Sequence, residues 1–199
     1  MNYTLIGSLK SRAFRVAWML EEAGLEFEHV NAGPRSDEVM AVNPSGKIPA
    51  FLVDGTMITD SVAILTYLAD RHGVATYPPG TLERARQDAL TQFAVEELDG
   101  VLWTISRNKF VLPKEHRVPE AIDGAIWEYQ RSLARLSTHL GDGPWLMGEI
   151  FTIADIVAIH CLGWGIVAKA AKPEGAVSAY LDRARARPAY AATSARRSD

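Results

Sequence analysis

Cysteine is nearly missing from this chain: Cys161 is the single one in 199 residues. An internal disulfide and a Cys-x-x-Cys redox pair are therefore excluded. Neither sign of charge dominates, with 21 Lys and Arg against 24 Asp and Glu and a net charge of −3. No basic stripe precedes the last few residues, which argues against a nucleic-acid partner. Long apolar runs are missing as well. Nothing reaches membrane-spanning length and no basic-then-apolar leader opens the chain, so a cytoplasmic protein without a membrane partner is expected. The histidines, His29, His72, His116, His139 and His160, show no metal-ligand spacing, and no metal is expected. Repeats and low-complexity tracts are lacking, apart from an Ala/Arg-rich tail.

What is present suits an ordinary soluble globular protein, with 48% hydrophobic and 23% charged residues in a length that fits one domain or two small ones. The first part alternates strand and helix signals. Tyr3–Gly7 carries β-formers in alternation, and Ser8–Ser11 is a polar loop. Phe14, Val16, Ala17, Met19, Leu20 and Ala23 then repeat at helical spacing up to Gly24, a C-cap. Leu25–Val30 predicts a second strand, Asn31–Asp37 a loop, and Glu38–Val42 a short helix. The stretch from Asn43 to Leu68 reads NPSGKIPAFLVDGTMITDSVAILTYL. Its loop is held by Pro44, Gly46 and Pro49. Ala50–Val53 and Met57–Ile58 form a hairpin across Asp54-Gly55, and Val62, Ile64, Leu65 and Leu68 begin a helix. This order predicts a thioredoxin-like α/β domain over residues 1–76, with 77–82, containing Pro78-Pro79-Gly80, as the linker.

Beyond the linker strand signals nearly vanish. Leu90, Phe93, Leu98, Leu102 and Ile105 outline one long helix to about Arg107. Ile122, Ile126, Tyr129, Leu133, Leu136 and Leu140 outline a second one from Pro119. Thr152-x-x-Asp155 opens a third with a capping pattern, through about Lys169, and Ala176–Arg185 is a fourth. Residues 83–199 are thus expected to form an all-α helical bundle.

Loop, proline, hairpin, acid-Ser pair and helix, followed by an all-helical half, make a sequence that resembles the cytosolic glutathione S-transferases, specifically their serine-type, theta-like or bacterial members. The resemblance covers nearly the whole chain and implies the glutathione transferase fold. It implies that Ile48, ahead of a cis Pro49, offers its backbone to the cysteinyl part of glutathione. Asp60, where the family usually has Glu, and Ser61 would hold the γ-glutamyl end, and Lys47 would pair with the glycyl carboxylate. A homodimer is implied too, joining the first domain of one subunit to the helical domain of the other. On the residues alone, Lys47 is equally a solvated loop lysine and Asp60-Ser61 equally a plain helix cap. The two roles of the cap are compatible, because capping uses one side-chain oxygen and leaves backbone donors free.

A thioredoxin-like unit presents its chemistry at the N-terminus of its first helix, where partial positive charge collects. The residues there are Ser11-Arg12-Ala13-Phe14-Arg15, with no cysteine, so the thiol must come with a ligand. A free thiol has a pKa of about 8.5, and lowering it by roughly two units takes about 2.7 kcal/mol of thiolate stabilisation. In serine-type transferases the responsible hydroxyl stands four residues before an Arg, which Ser11 and Arg15 match. Ser11 is accordingly the candidate catalytic residue, and its competing role is that of an N-cap. Ser8 is the second candidate; Tyr3 lies inside the strand and suits sheet packing.

The resemblance places Asp99 where some family members contact the γ-glutamyl amine across a dimer interface, while a solvated acidic face shared with Glu96 and Glu97 is the favoured expectation. Trp103, Arg107, Phe110 and Trp164 are candidates for an apolar pocket. The resulting expectation is a glutathione S-transferase that ionises the thiol for attack on a small hydrophobic electrophile. Its rivals are a non-catalytic glutathione-, ligand- or protein-binding member of the fold, and a glutathione-dependent peroxidase or ether-cleaving enzyme.

Overall fold

The computed structural model describes residues 1–197. They divide into two units: Met1–Pro79 together with the stretch from Arg185, and Gly80–Ala184.

In the first unit, β1 (Tyr3–Ile6) lies at the centre of a four-stranded sheet. It pairs in parallel with β2 (Glu28–Val30) and antiparallel with β3 (Ala50–Val53), which in turn pairs antiparallel with β4 (Thr56–Thr59). The hairpin between β3 and β4 turns on Asp54 and Gly55, both at positive φ (47° and 84°), the turn whose twist matches the strands it joins. Between β1 and β2 runs α1 (Ala13–Glu22), with every residue from Ala13 to Leu20 buried. β2 is shorter than the alternation of Leu25–Val30 predicts. The reason is local: the Leu25 N–H bonds back to Leu20 O at 2.9 Å and closes the helix end, with Gly24 at φ +64°. α2 (Asp37–Val42) is capped by Ser36, and α3 (Ser61–His72) by Asp60.

The tail from Arg185, expected with the helical bundle, joins this first unit. Its helix, α9 (Pro188–Arg196), lies on α1. Tyr190 packs edge-on against Trp18 and Phe14 at centroid distances of 4.9 and 5.3 Å. Arg187 forks onto Glu22 with two bonds of 2.7 Å.

The second unit is helical. The single long helix expected up to Arg107 is interrupted: α4 (Leu82–Phe93) widens into a π-helical stretch at Ala94–Gly100, followed by α5 (Val101–Ser106) and a further wide turn at Arg107–Val111. α6 (Glu120–Leu140) buries Tyr129, Leu136 and Leu140. α7 (Ile153–Ala168) is apolar nearly all round, as a helix must be to lie within a core, and α8 (Gly175–Arg185) follows it. α6 and α7 approach closely at Gly165. A Cβ there would stand 2.2 Å from the Tyr129 hydroxyl, which donates to Cys161 O at 3.2 Å. Asp155 is fully buried and binds both what precedes its helix and what lies across from it.

Candidate functional site

Three chain segments of the first unit converge beside Gly7, at the end of β1. Gly7 has φ +146°, and a Cβ on it would meet Ile48 Cβ at 3.1 Å, Ala13 Cβ at 3.2 Å and Pro49 Cα at 3.5 Å. Only a residue without a side chain lets the strand end, the start of α1 and the proline loop come this close. The Ile48-Pro49 bond is cis, as the resemblance implied. Among the described residues the Ile48 N–H and C=O have no hydrogen-bond partner, so one whole peptide edge is open to an extended ligand.

The loop that carries Ile48 is organised by Asn43, a residue the sequence reading passed over. Asn43 is buried; its amide donates to Lys47 O at 2.8 Å, and its Oδ1 accepts from Ser45 N–H at 3.1 Å and from the Ser45 hydroxyl at 2.8 Å. Its position directly before Pro44 is the only sequence signal it gives, as an Asx-type turn former. Gly46 adopts φ +67° and lies under the Arg35 side chain. Lys47 itself is exposed, and its ammonium has no partner among the described residues.

At the far end of the hairpin, Asp60 caps α3 through one oxygen alone. Oδ1 accepts from Val62 N–H at 2.9 Å and Ala63 N–H at 3.2 Å, while Oδ2 is left open among the described residues. Asp60 holds φ +71°, an unusual conformation for a residue with a side chain. Ser61 follows, buried, with its hydroxyl accepting from Arg15 Nη1 at 3.3 Å.

The turn before α1 contains both candidate hydroxyls. Ser11 is tied into that turn: its hydroxyl donates to Ser8 O at 2.7 Å and accepts from Ala13 N–H at 3.2 Å. Ser8 is anchored by its backbone, N–H to Ala32 O at 2.8 Å. The Ser8 Oγ accepts from Lys10 N–H at 3.3 Å, and its own proton has no acceptor among the described residues. Tyr3 is buried in the sheet, stacked on Phe51, and its hydroxyl is engaged 2.9 Å from His72 Nε2.

Two family models match the chain, "Glutathione S-transferase, N-terminal domain" over residues 1–70 and "Glutathione S-transferase, C-terminal domain" over residues 119–192. The hematopoietic prostaglandin D synthase of Gallus gallus is 31% identical over 96% of this chain and 94% of its own. The chain belongs to the glutathione S-transferase family. Glutathione S-transferase GstA of Escherichia coli O157:H7 is 29% identical over 85% of this chain and 86% of its own. Among solved structures, a glutathione transferase of Methylococcus capsulatus is 28% identical with a TM-score of 0.86, covering 98% of both chains. A glutathione transferase of Phanerochaete chrysosporium in complex with oxidized glutathione is 25% identical with a TM-score of 0.82, over 99% of this chain and 96% of its own.

The glutathione transferase fold expected from the sequence is the one observed, a mixed sheet with helices and a mostly helical second unit. In that second unit two expectations need correcting. Asp99 is buried, so it does not share a solvated face with the exposed Glu96 and with Glu97, which pairs with Arg135. Phe110 is 65% exposed on the wide turn at the end of α5, so it is not enclosed in an apolar pocket of that unit. Among the described residues there is no group of three His, Cys, Asp or Glu able to hold a metal ion.

Proposed function

We propose that this family member is a glutathione transferase that binds glutathione on the first unit and ionises its thiol. The observation that carries the reading is the open peptide edge of Ile48, held beside the start of α1 by the cis bond and Gly7. In this reading the cysteinyl backbone pairs with Ile48, the γ-glutamyl end reaches Asp60 and Ser61, and the glycyl carboxylate meets Lys47. The thiol then falls at the turn before α1, where the helix end favours negative charge.

Ser11 was the candidate donor to the sulfur, but its proton is engaged by Ser8 O. Ser8 has a proton to give, so in this reading Ser8 faces the sulfur and Ser11 fixes the turn that presents it. Catalysis consists of thiolate stabilisation and proximity to a small apolar electrophile, without a covalent enzyme intermediate. The functional protein is a two-fold homodimer, the usual closed assembly.

Retention on immobilised glutathione, turnover across a panel of electrophiles and the ultraviolet absorbance of bound thiolate test this together. Retention without turnover or thiolate signal would make the protein a glutathione-binding member without catalysis. A monomeric mass by light scattering at micromolar concentration would remove the dimer.

A further inference from the structure

Arg15, the third residue of α1, is 1% exposed, and its Nη1 donates to the Ser61 hydroxyl at 3.3 Å. Ser61 is 3% exposed and opens α3. A serine hydroxyl has one proton to give and two lone pairs to accept with. Once a guanidinium donates into the oxygen, the proton must point away from it and find an acceptor elsewhere. Among the described residues it has none. The backbone N–H of Ser61 is in the same position, because Asp60 takes the amides of Val62, Ala63 and Ile64. One residue therefore offers two outward donors at a helix N-terminus, backed by a buried cation. Beside them, Asp60 Oδ2 offers an open acceptor.

This arrangement has a polarity. A carboxylate is favoured over Ser61 and an ammonium over Asp60, and the reverse placement would set an ammonium against two donors and a guanidinium. We propose that Arg15 is a positioning residue: by donating to Ser61 it fixes Ser61 as a donor, and so sets which way round the α-amino-acid end of the γ-glutamyl group lies. The inference rests on the glutathione reading given above. An arginine suits the task because its guanidinium keeps its charge when buried, whereas a buried lysine readily loses it.

The test compares glutathione with γ-aminobutyryl-cysteinyl-glycine, which keeps the ammonium and lacks the neighbouring carboxylate. Dissociation constants are measured by calorimetry for wild type, Arg15→Gln, Arg15→Lys, Ser61→Ala and the Arg15→Gln/Ser61→Ala double variant. The expected result is that Arg15→Gln weakens glutathione binding about tenfold to a hundredfold and leaves the analogue unchanged. Arg15→Lys should recover part of the loss. The double variant should bind glutathione no more weakly than Ser61→Ala alone. Equal weakening of both peptides, or a glutathione-to-analogue ratio that does not move, overturns the inference and leaves the binding reading standing. Failure of the wild type to bind either peptide overturns both. If Arg15→Gln does not fold, a crystal structure of the wild type with glutathione decides: a Ser61 hydroxyl donating to the ligand carboxylate while accepting from Arg15 supports the inference. A Ser61 that accepts from the ligand ammonium, or an Arg15 turned away from Ser61, refutes it.

Discussion

The Tyr180 hydroxyl donates to Asp155 Oδ1 at 2.8 Å, and both groups are fully buried in the second unit. Asp155 also accepts from Leu146 N–H at 2.9 Å, Thr152 N–H at 2.8 Å and the Thr152 hydroxyl at 3.3 Å. One carboxyl thus satisfies donors from three places in the chain. Burial pushes it above the usual aspartate range against the pull of these bonds.

Asp155→Ala should therefore act on stability and leave activity per folded molecule nearly intact. It strands buried donors at about 1–3 kcal/mol each, so a loss of roughly 3–5 kcal/mol is expected. For a protein of this length that is a fall in melting temperature of about 6–20 °C, measurable by calorimetry. An unchanged melting temperature would refute the role of Asp155 as a hub.

Burial raises the Tyr129 phenol well above its ordinary value, and burial with the neighbouring Asp155 charge does the same for Tyr180. The unfolded chain releases these protons near pH 10 and the folded one keeps them. Their contribution to stability is complete below about pH 10 and is lost as pH rises above it, at roughly 2.7 kcal/mol per unit for the pair. Tyr129→Phe and Tyr180→Phe should each remove half of that alkaline slope in denaturant titrations. The same slope in wild type and both variants would show that other groups set it.

The two serines separate kinetically. Ser8→Ala should raise the apparent pKa of the bound thiol and cut turnover near neutral pH tenfold to a hundredfold, with part of the rate recovered at higher pH. Ser11→Ala should leave that pKa in place and lower the melting temperature, since it loses turn bonds. The pH–rate profiles distinguish the cases, and the opposite pattern would return the role to Ser11.

Gly7→Ala should weaken glutathione binding more than it destabilises the second unit. The new methyl meets Ile48 and Ala13 within 3.2 Å at a φ of +146°, and its relief is a shift of the proline loop. Retained affinity with an unmoved Ile48 in a crystal structure would count against the convergence described here.

Much of this was legible in the residues. The hairpin was signalled by Asp54-Gly55, the α3 cap by Asp60 and the α7 start by Thr152 and Asp155, because each is decided within a few residues. The π-helical stretch at Ala94–Gly100 was hidden, since its apolar spacing passes for an ordinary helix. The partnership of Ser11 with Ser8 was hidden for another reason. Four-residue spacing to an arginine fits a hydroxyl, but it does not say where the hydroxyl proton goes. The docking of α9 joins residues far apart in the chain, such as Glu22 and Arg187, 165 positions from each other, and no local pattern encodes it.

That docking has a consequence for biosynthesis. Trp18 lies with no exposed surface beneath Tyr190 of α9. The sheet and α1 leave the ribosome before the helical unit, yet they cannot close over that tryptophan until α9, some 170 residues further along the chain, has been made. Vectorial order is inverted: the helical unit, continuous in the chain, is free to finish before the one that precedes it. A nascent chain arrested before Arg187 would hold an open aromatic face, and the emergence of α9 becomes the step that completes the unit carrying the candidate thiol site.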